Sequence, residues 1–311
     1  MDEYILAIET SCDDTSVAVL KNETILSCVT QDCSFFLNQY GGIVPEIASR
    51  KHEEYIIGVF KKAVQEAKID LSSITRICFT KTPGLPGSLH VGEIFAKSLA
   101  FLLDLDYVGI NHIHSHIFSS FINIKNIYYP FISLIASGKT TSIFLIKSPS
   151  EIIELTKTVD DAIGETFDKI GKALGYPYPS GPVIDQNYDP LKTTITFKNQ
   201  PVKNNFSFSG VKSSILKIIN DSKNNNSFDP ILVGSSFMKW AINNLIRKLK
   251  YYSDLYKIST ISIGGGVACN SLFKSEIKNI FKKSYVPLKE YSCDNAAMIG
   301  YFFYQKYLNT K

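Results

Sequence analysis

The residues best suited to chemistry cluster at His112-Ile113-His114-Ser115-His116, directly after an apolar run. Side chains four positions apart on a helix share a face one turn apart, so the His112 and His116 imidazoles can reach one metal ion while His114 points elsewhere. Three of the chain's five histidines fall in this pentapeptide, which favours a site over scattered surface histidines. Two imidazoles leave a metal short of ligands, so a carboxylate from a distant part of the chain is expected. Several acids could serve, and the local pattern does not choose among them.

Glycine turns form the second group. Ser137-Gly138, Gly181 and Gly264-Gly265-Gly266 sit where apolar runs end, places where open backbone N–H groups and a helix N-terminus can cradle phosphate. Each alone has an ordinary explanation in backbone geometry. With Asp14 and Asp168 in neighbouring turns, the three suggest a nucleotide held between two lobes. Asp168, which follows Phe167 in a helical stretch, also reads as an ordinary exposed helix acid.

The elements that must position these residues alternate between the two periods. Residues 4–8 read as a strand, 9–14 as a polar turn and 15–20 as a returning strand. The same unit recurs later: strand 131–135, turn Ser137-Gly138-Lys139-Thr140, strand 141–146. Both returning strands open on a Thr-Ser pair, Thr15-Ser16 and Thr141-Ser142, which points to internal duplication. Between the hairpins, 44–68 is helical after Gly41-Gly42 and Pro45, 74–80 is a buried strand, 85–103 a helix and 107–111 a short strand. Beyond them come a helix at 165–174, a turn at 176–182, an Asn-rich solvated loop at 220–229 and a long helix at 230–250. Strand 260–263, a helix from Ser271 and a last helix after Asp294 complete an α/β pattern.

The 311 residues suffice for two lobes of about 150 residues each. With 45% hydrophobic and 20% charged residues, a normal core can be buried. A net charge of +4 permits an anionic partner without demanding one. The six cysteines show no CxxC pair and read as reduced thiols. The amino terminus opens on acids and runs into a strand, unlike a secretory or transit signal, and no run approaches the roughly 18 apolar residues that span a bilayer. A soluble, cytoplasmic protein with no membrane partner is expected.

Several blocks carry a family resemblance. Ile5-Leu6-Ala7-Ile8-Glu9-Thr10-Ser11-Cys12-Asp13-Asp14-Thr15-Ser16 resembles the opening signature of the tRNA N6-adenosine threonylcarbamoyltransferases, once labelled sialoglycoproteases. Gly41 to His52 is similar to the signature of their bacterial and organellar branch. The likeness continues through Pro83-Gly84-Leu85-Pro86-Gly87-Ser88, the histidine pair, Gly164-Glu165-Thr166-Phe167-Asp168-Lys169, Phe206-Ser207-Phe208-Ser209-Gly210-Val211-Lys212, Gly264-Gly265-Gly266-Val267-Ala268-Cys269-Asn270 and Cys293-Asp294-Asn295-Ala296-Ala297-Met298-Ile299. These blocks stand in family order from the first residues to the last helix.

The resemblance implies a duplicated two-lobed α/β fold of the actin, Hsp70 and sugar-kinase type. Its lobes are expected at 1–107 and 108–294, with a C-terminal helix at 295–311 packing back on the first. It implies metal ligands at His112, His116 and Asp294, holding one divalent ion, Fe²⁺ before Zn²⁺. It places the adenylate-bearing donor against Ile135, Ala136, Ser137, Gly138, Lys139, Asp168, Gly181, Asp185 and Asn270, and it names no certain catalytic residue. The implied reaction moves threonylcarbamoyl from threonylcarbamoyl-adenylate to the N6 amino group of the adenosine after the anticodon, in tRNAs reading codons that begin with A, and releases AMP. Implied partners are tRNA, the donor, and either a non-catalytic paralogue with a small ATPase or a second copy of the chain.

The chain departs from the family at three places. Lys139 and Thr140 stand where Gly-His is usual, at a cost in backbone freedom and a possible gain in charge toward phosphate. Leu37 replaces a common His, and Ser180 a common Gly. Three rival readings are an ATPase or sugar-kinase-like phosphotransferase of the same fold, a zinc protease, and a non-catalytic scaffold in a tRNA-modification complex. The scaffold would be expected to lose the His112, His116 and Asp294 set, which this chain keeps. The phosphotransferases rely on Mg²⁺ carried with the nucleotide and have little use for paired histidines. The protease would need HExxH, where this chain has Ile113 after the first His.

Overall fold

The computed structural model describes residues 2–33, 43–203 and 205–309. Leu37 and the Tyr40-Gly41-Gly42 turn lie outside the described residues. The chain divides into two units, residues 1–127 with 287–311, and residues 128–286.

In the first unit, β1 (Tyr4–Glu9) pairs antiparallel with β2 (Asp14–Lys21), and β2 with β3 (Thr24–Asp32). Helix α1 (Pro45–Ala67) leads to β4 (Arg76–Thr82), which lies parallel to β1. Helix α2 (Pro86–Leu103) leads to β5 (Tyr107–Asn111), parallel to β4, and the chain then enters α3 (His112–Ser119). The sheet order is β3-β2-β1-β4-β5. Alternation along the strands splits the side chains between faces. Leu6, Ile8, Val17, Val19, Ile77 and Phe79 form one core with Ile56, Val59 and Ala63 of α1 and Ala96, Leu99 and Ala100 of α2.

The second unit repeats this plan. β6 (Phe131–Ala136) pairs antiparallel with β7 (Thr141–Ser148), and β7 with β8 (Glu151–Lys157). Helices α4 (Ile163–Leu174), α5 (Ser180–Gln186), α6 (Ser209–Asn224) and α7 (Pro230–Tyr256) precede β9 (Thr260–Gly264), which is parallel to β6. Then α8 (Ser271–Ile280) leads to β10 (Lys283–Tyr285), parallel to β9. The order β10-β9-β6-β7-β8 is that of the first sheet read from its other edge, with the same parallel and antiparallel pairs. The duplication expected from the hairpins is therefore a duplication of whole sheets. Ile132, Leu134, Ile143, Leu145, Ile261 and Ile263 pack on Phe237, Ala241 and Leu245 of α7, a helix with buried residues on most of its circumference. No helix among the described residues is long and apolar enough to cross a membrane.

The final helix, α9 (Ala296–Phe303), returns to the first unit. Asn295 caps it by accepting from Met298 N, and Ala296 N donates to Ser16 Oγ at 2.9 Å. Gly300 lets the helix lie against the sheet, since a Cβ there would come within 3.1 Å of Ala7 Cβ and closer still to Leu20. Residues 108–127 and 287–294 also belong to this unit, so the division falls at 127/128 and 286/287 instead of 107/108 and 294/295. The reason is contact: α3 lies against α9 through Phe118 and His114 on Phe302, and Tyr301 Oη donates to Phe121 O.

Three further differences from the sequence reading have local causes. The Asn-rich stretch is helical to Asn224, and the turn is made at Asn226 with φ 53°. Helix α7 runs on to Tyr256. The edge strands β3, β8 and β10 are additional. Replacing Gly300 by Val should destabilise the protein by about 1–3 kcal/mol through overpacking against Ala7 and Leu20, read as a lowered denaturation midpoint. An unchanged midpoint would mean that α9 does not hold this close approach.

Candidate functional site

The carboxyl ends of three parallel strands bring the first set of groups together. Glu9 ends β1, Thr80 lies near the end of β4, and His112 follows β5. Asn111 turns the chain into α3 by accepting from His114 N at 3.0 Å, which fixes His112 at the helix start and His116 one turn on. The two rings are edge-to-face with centroids 4.6 Å apart. Asp294 arrives on the segment before α9, and its Oδ1 lies 3.4 Å from His112 Nε2 and 3.0 Å from His116 Nε2. One ligand atom from each of the three residues falls within 4.8 Å of the others. His114 lies apart, its ring edge-on to Phe302 at 5.9 Å.

A carboxylate oxygen facing two imidazole nitrogens is a donor set suited to a divalent transition ion, with coordination positions left over. The histidines are almost wholly buried, whereas the Asp294 side chain is 21% exposed, so solvent approaches from its side. Behind His112, Nδ1 lies 3.1 Å from Glu9 Oε2 and 3.2 Å from Ser11 Oγ. Glu9 is fully buried and also accepts from Ser11 N and Thr80 Oγ1. Behind His116, the buried Nδ1 has no hydrogen-bond partner among the described residues.

Burial works against charge on His112, Glu9 and Asp294, and the attraction between the imidazole and the two carboxylates overrides it. Burial would lower the His112 pKa, but Glu9 and Asp294 raise it to about 10. Asp294 is held well below the usual carboxylate range, and Glu9 is lowered, by His112 despite burial. Burial, with Asp13, Asp294, Asp32 and Glu9 nearby, pushes Asp14 up to about 9. It therefore carries a proton at neutral pH and is suited to donate one rather than to act as a base. Burial and Lys306 drive His114 down to about 4, which leaves it neutral.

In the second unit the turns at Ser137-Gly138 and Gly264-Gly265-Gly266 meet around the end of β6, while Gly181 lies in α5. Gly164 N donates to Ser137 O at 3.1 Å, and a Cβ on Gly164 would sit 2.6 Å from that oxygen. Gly265, with φ 84°, passes equally close to Ala136 O. Ile135 and Ala136 are buried strand residues. Ser137 organises its own turn: its Oγ accepts from Lys139 N and Thr140 N at 3.3 and 3.1 Å. Lys139 is exposed and is not among the residues with positive φ, so the turn does not require glycine there and the expected cost in backbone freedom is absent.

The remaining candidates form hydrogen-bonded pairs. Asp168 accepts from Ser180 N at 2.8 Å and so anchors α5, whose next residue is Gly181. Gly171 leaves the space that the Ser180 Cβ fills, which accommodates the departure at 180. Asp185 accepts from Ser271 N at 3.0 Å and from Ser271 Oγ at 2.6 Å. Asn270 caps α8 by accepting from Phe273 N at 2.9 Å. Asp168 is thus more than a surface helix acid. Sequence reasoning gave no role to Glu9 or Thr80; an acid ending an apolar strand was the available signal, and the strand order β1-β4-β5 was needed to use it.

Sheet order and duplication define the class, a two-unit α/β protein of the actin, Hsp70 and sugar-kinase type. The HypF structure from T. kodakarensis has a TM-score of 0.63 at 13% identity, covering 99% of this chain and 48% of that one, so the chain spans about half its length. The activator of 2-hydroxyisocaproyl-CoA dehydratase from Clostridium difficile, with bound ADPNP, gives 0.54 at 12% identity, covering 97% and 94%. At such identities the likeness bears on fold alone. The chain belongs to the tRNA N6-adenosine threonylcarbamoyltransferase family, whose sequence profile matches residues 24–301. A relative of that name in Malacoplasma penetrans is 60% identical over 304 residues, 97% of this chain and 99% of the relative. Another in Ureaplasma parvum is 46% identical over 313 residues, 100% and 98% of the two chains.

His112→Ala should strip the protein of metal after dialysis, as read by elemental analysis, while the fold survives. Metal content equal to wild type would remove His112 from the ligand set. Because His112 carries a proton at neutral pH, an ion taking its Nε2 must displace about one proton, and apparent affinity should rise with pH toward about 10. Calorimetry in buffers of different ionisation enthalpy measures the release; none at all would contradict this assignment.

Proposed function

We propose that this protein transfers threonylcarbamoyl from threonylcarbamoyl-adenylate to the N6 amino group of the adenosine following the anticodon in tRNAs that read codons beginning with A, releasing AMP. The observation that carries the reading is the 60% identity to a threonylcarbamoyltransferase across nearly the whole of both chains. The protein is a transferase that acts in tRNA modification.

The donor, a mixed anhydride of a carbamate with AMP, already has a good leaving group. The chain therefore has mainly to orient the reactants and stabilise charge. In this reading His112, His116 and Asp294 hold one divalent ion, Fe²⁺ before Zn²⁺. When bound, it supplies Lewis-acid polarisation of the kind a carbamate carbonyl needs. Glu9 and Ser11 lie against the Nδ1 side of His112, and Thr80 donates to Glu9. The donor's adenylate lies against Ile135, Ala136, Ser137, Gly138 and Lys139, with Asp168, Gly181, Asp185 and Asn270 completing its binding surface. The bonds from Asp168 to Ser180 and from Asp185 to Ser271 support this assignment, since they hold α5 and α8 in place before any ligand arrives. The exposed Lys139 ammonium, in the turn after β6, is free to pair with the donor's phosphate. Asp14, protonated at neutral pH, is a proton donor within the same unit as the ligands. The protein works in the cytoplasm with tRNA, and either with a non-catalytic paralogue and a small ATPase or as a homodimer.

Depleting the protein should remove threonylcarbamoyladenosine from total tRNA, measured by mass spectrometry of nucleosides. An unchanged level would refute the transfer reaction. Lys139→Gly should weaken binding of a stable donor analogue by about 1.5–3 kcal/mol, the size of a charge-assisted hydrogen bond, with a smaller loss at higher salt. An affinity that does not fall at either salt would retire the phosphate contact.

A further inference from the structure

We infer that Glu9 is a positioning residue for the metal centre, its carboxylate holding the His112 ring with a proton on Nδ1 so that Nε2 is left to the ion. The inference rests on the reading of His112, His116 and Asp294 as ligands. It adds to that reading a residue which touches neither ion nor substrate.

The geometry assigns each oxygen of Glu9 a task. Oε1 accepts from the Ser11 backbone N–H, while Oε2 accepts from the Thr80 hydroxyl and lies 3.1 Å from His112 Nδ1. A carboxylate has only acceptors to offer, so the Nδ1 facing it must carry hydrogen. The proton on Nδ1 leaves Nε2, which points at Asp294 Oδ1, as the nitrogen able to ligate. Glu9 cannot turn away, because it is fully buried and tied to the turn after β1 through Ser11 and to β4 through Thr80. The two ligand histidines are unequal in this respect. His116 has no partner on its Nδ1 among the described residues, so this carboxylate orients only His112 of the pair. Outer partners of metal-bound imidazoles fix tautomer and ring angle, and their loss typically costs 10–100-fold in metal affinity.

The Glu9→Gln variant separates orientation from packing because the side chain keeps its shape. Its amide oxygen can take the place of Oε1 and keep the Ser11 N–H. Its NH₂ then faces Thr80 Oγ1 and His112 Nδ1; the hydroxyl can turn to accept, and Nδ1 must accept too. All these groups stay bonded, but the ring proton moves to Nε2, where it blocks the ion. The expected result with Zn²⁺ as probe is a dissociation constant about 10–100-fold above wild type, with the metal-free protein still folded at a lowered denaturation midpoint, because the buried His112 ring loses the carboxylate charge that favours its protonation. Wild-type affinity in Glu9→Gln would overturn the inference. So would nitrogen-15 NMR of Glu9→Gln showing the neutral His112 ring still with its hydrogen on Nδ1, which would mark Glu9 as structural only. If Glu9→Gln does not fold, nitrogen-15 NMR of the Zn²⁺-loaded wild-type protein decides the matter: His112 must show hydrogen on Nδ1 and zinc on Nε2, and the reverse overturns the proposal. Failure here is distinguishable from failure of the ligand reading, because His112→Ala would still lose its metal while Glu9→Gln kept it.

Discussion

A buried imidazole lying between one buried carboxylate, Glu9, and one partly exposed carboxylate, Asp294, governs the first unit. Glu9 is fully buried, and His112 and its link to Asp294 are nearly so. An isolated charge in such surroundings would be expelled or neutralised, so each of these groups persists because the others are there. The arrangement costs little to assemble, since the carboxyl ends of β1, β4 and β5 already lie side by side in a parallel sheet. The remaining member, Asp294, is brought in by α9, which the sheet accepts because Gly300 offers no side chain to oppose Ala7. Apolar packing thus decides where the carboxylate sits, and electrostatics decides what it does there.

The second unit uses the same sheet for another purpose. Its strand ends carry glycines and short polar residues in place of an acid and a histidine. Close backbone approaches at Gly164 and Gly265 draw the turn after β6 toward the turns that follow it, and the Asp168 and Asp185 carboxylates anchor α5 and α8. One topology therefore supports two arrangements, a cluster of imidazoles and carboxylates in one copy and glycine-rich turns in the other, which the proposed function uses for an ion and for the adenylate. The difference arises from a few residues at equivalent strand ends.

Much of this was readable from local pattern. The apolar runs of β1, β2, β6 and β7, the Thr-Ser pairs and the long period of α7 reveal two equivalent hairpins and an α/β plan. The His112/His116 pair was legible because four residues is one helical turn. Asp294 was not, since it lies 178 residues from His116 and only family likeness pointed to it. The edge strands β3 and β8 escaped because edges bury little: β8 has one fully buried residue in seven. Asn220 to Asn224 looked like loop by composition, yet helix α6 continues through them and ends only where Asn226 takes a left-handed conformation. Glu9 was visible as an acid in a motif, but its partner Thr80 and the ring of His112 become its neighbours only once the order of three strands is known.

In the proposed function, His112, His116 and Asp294 together hold one metal ion through the two Nε2 atoms and a carboxylate oxygen. Crystals of the wild-type protein grown with Zn²⁺ and measured at the zinc absorption edge test this most directly. One strong anomalous peak is expected within bonding distance, about 2.0–2.2 Å, of all three atoms. A peak coordinated by other residues, or none at this cluster at saturating Zn²⁺, would contradict it.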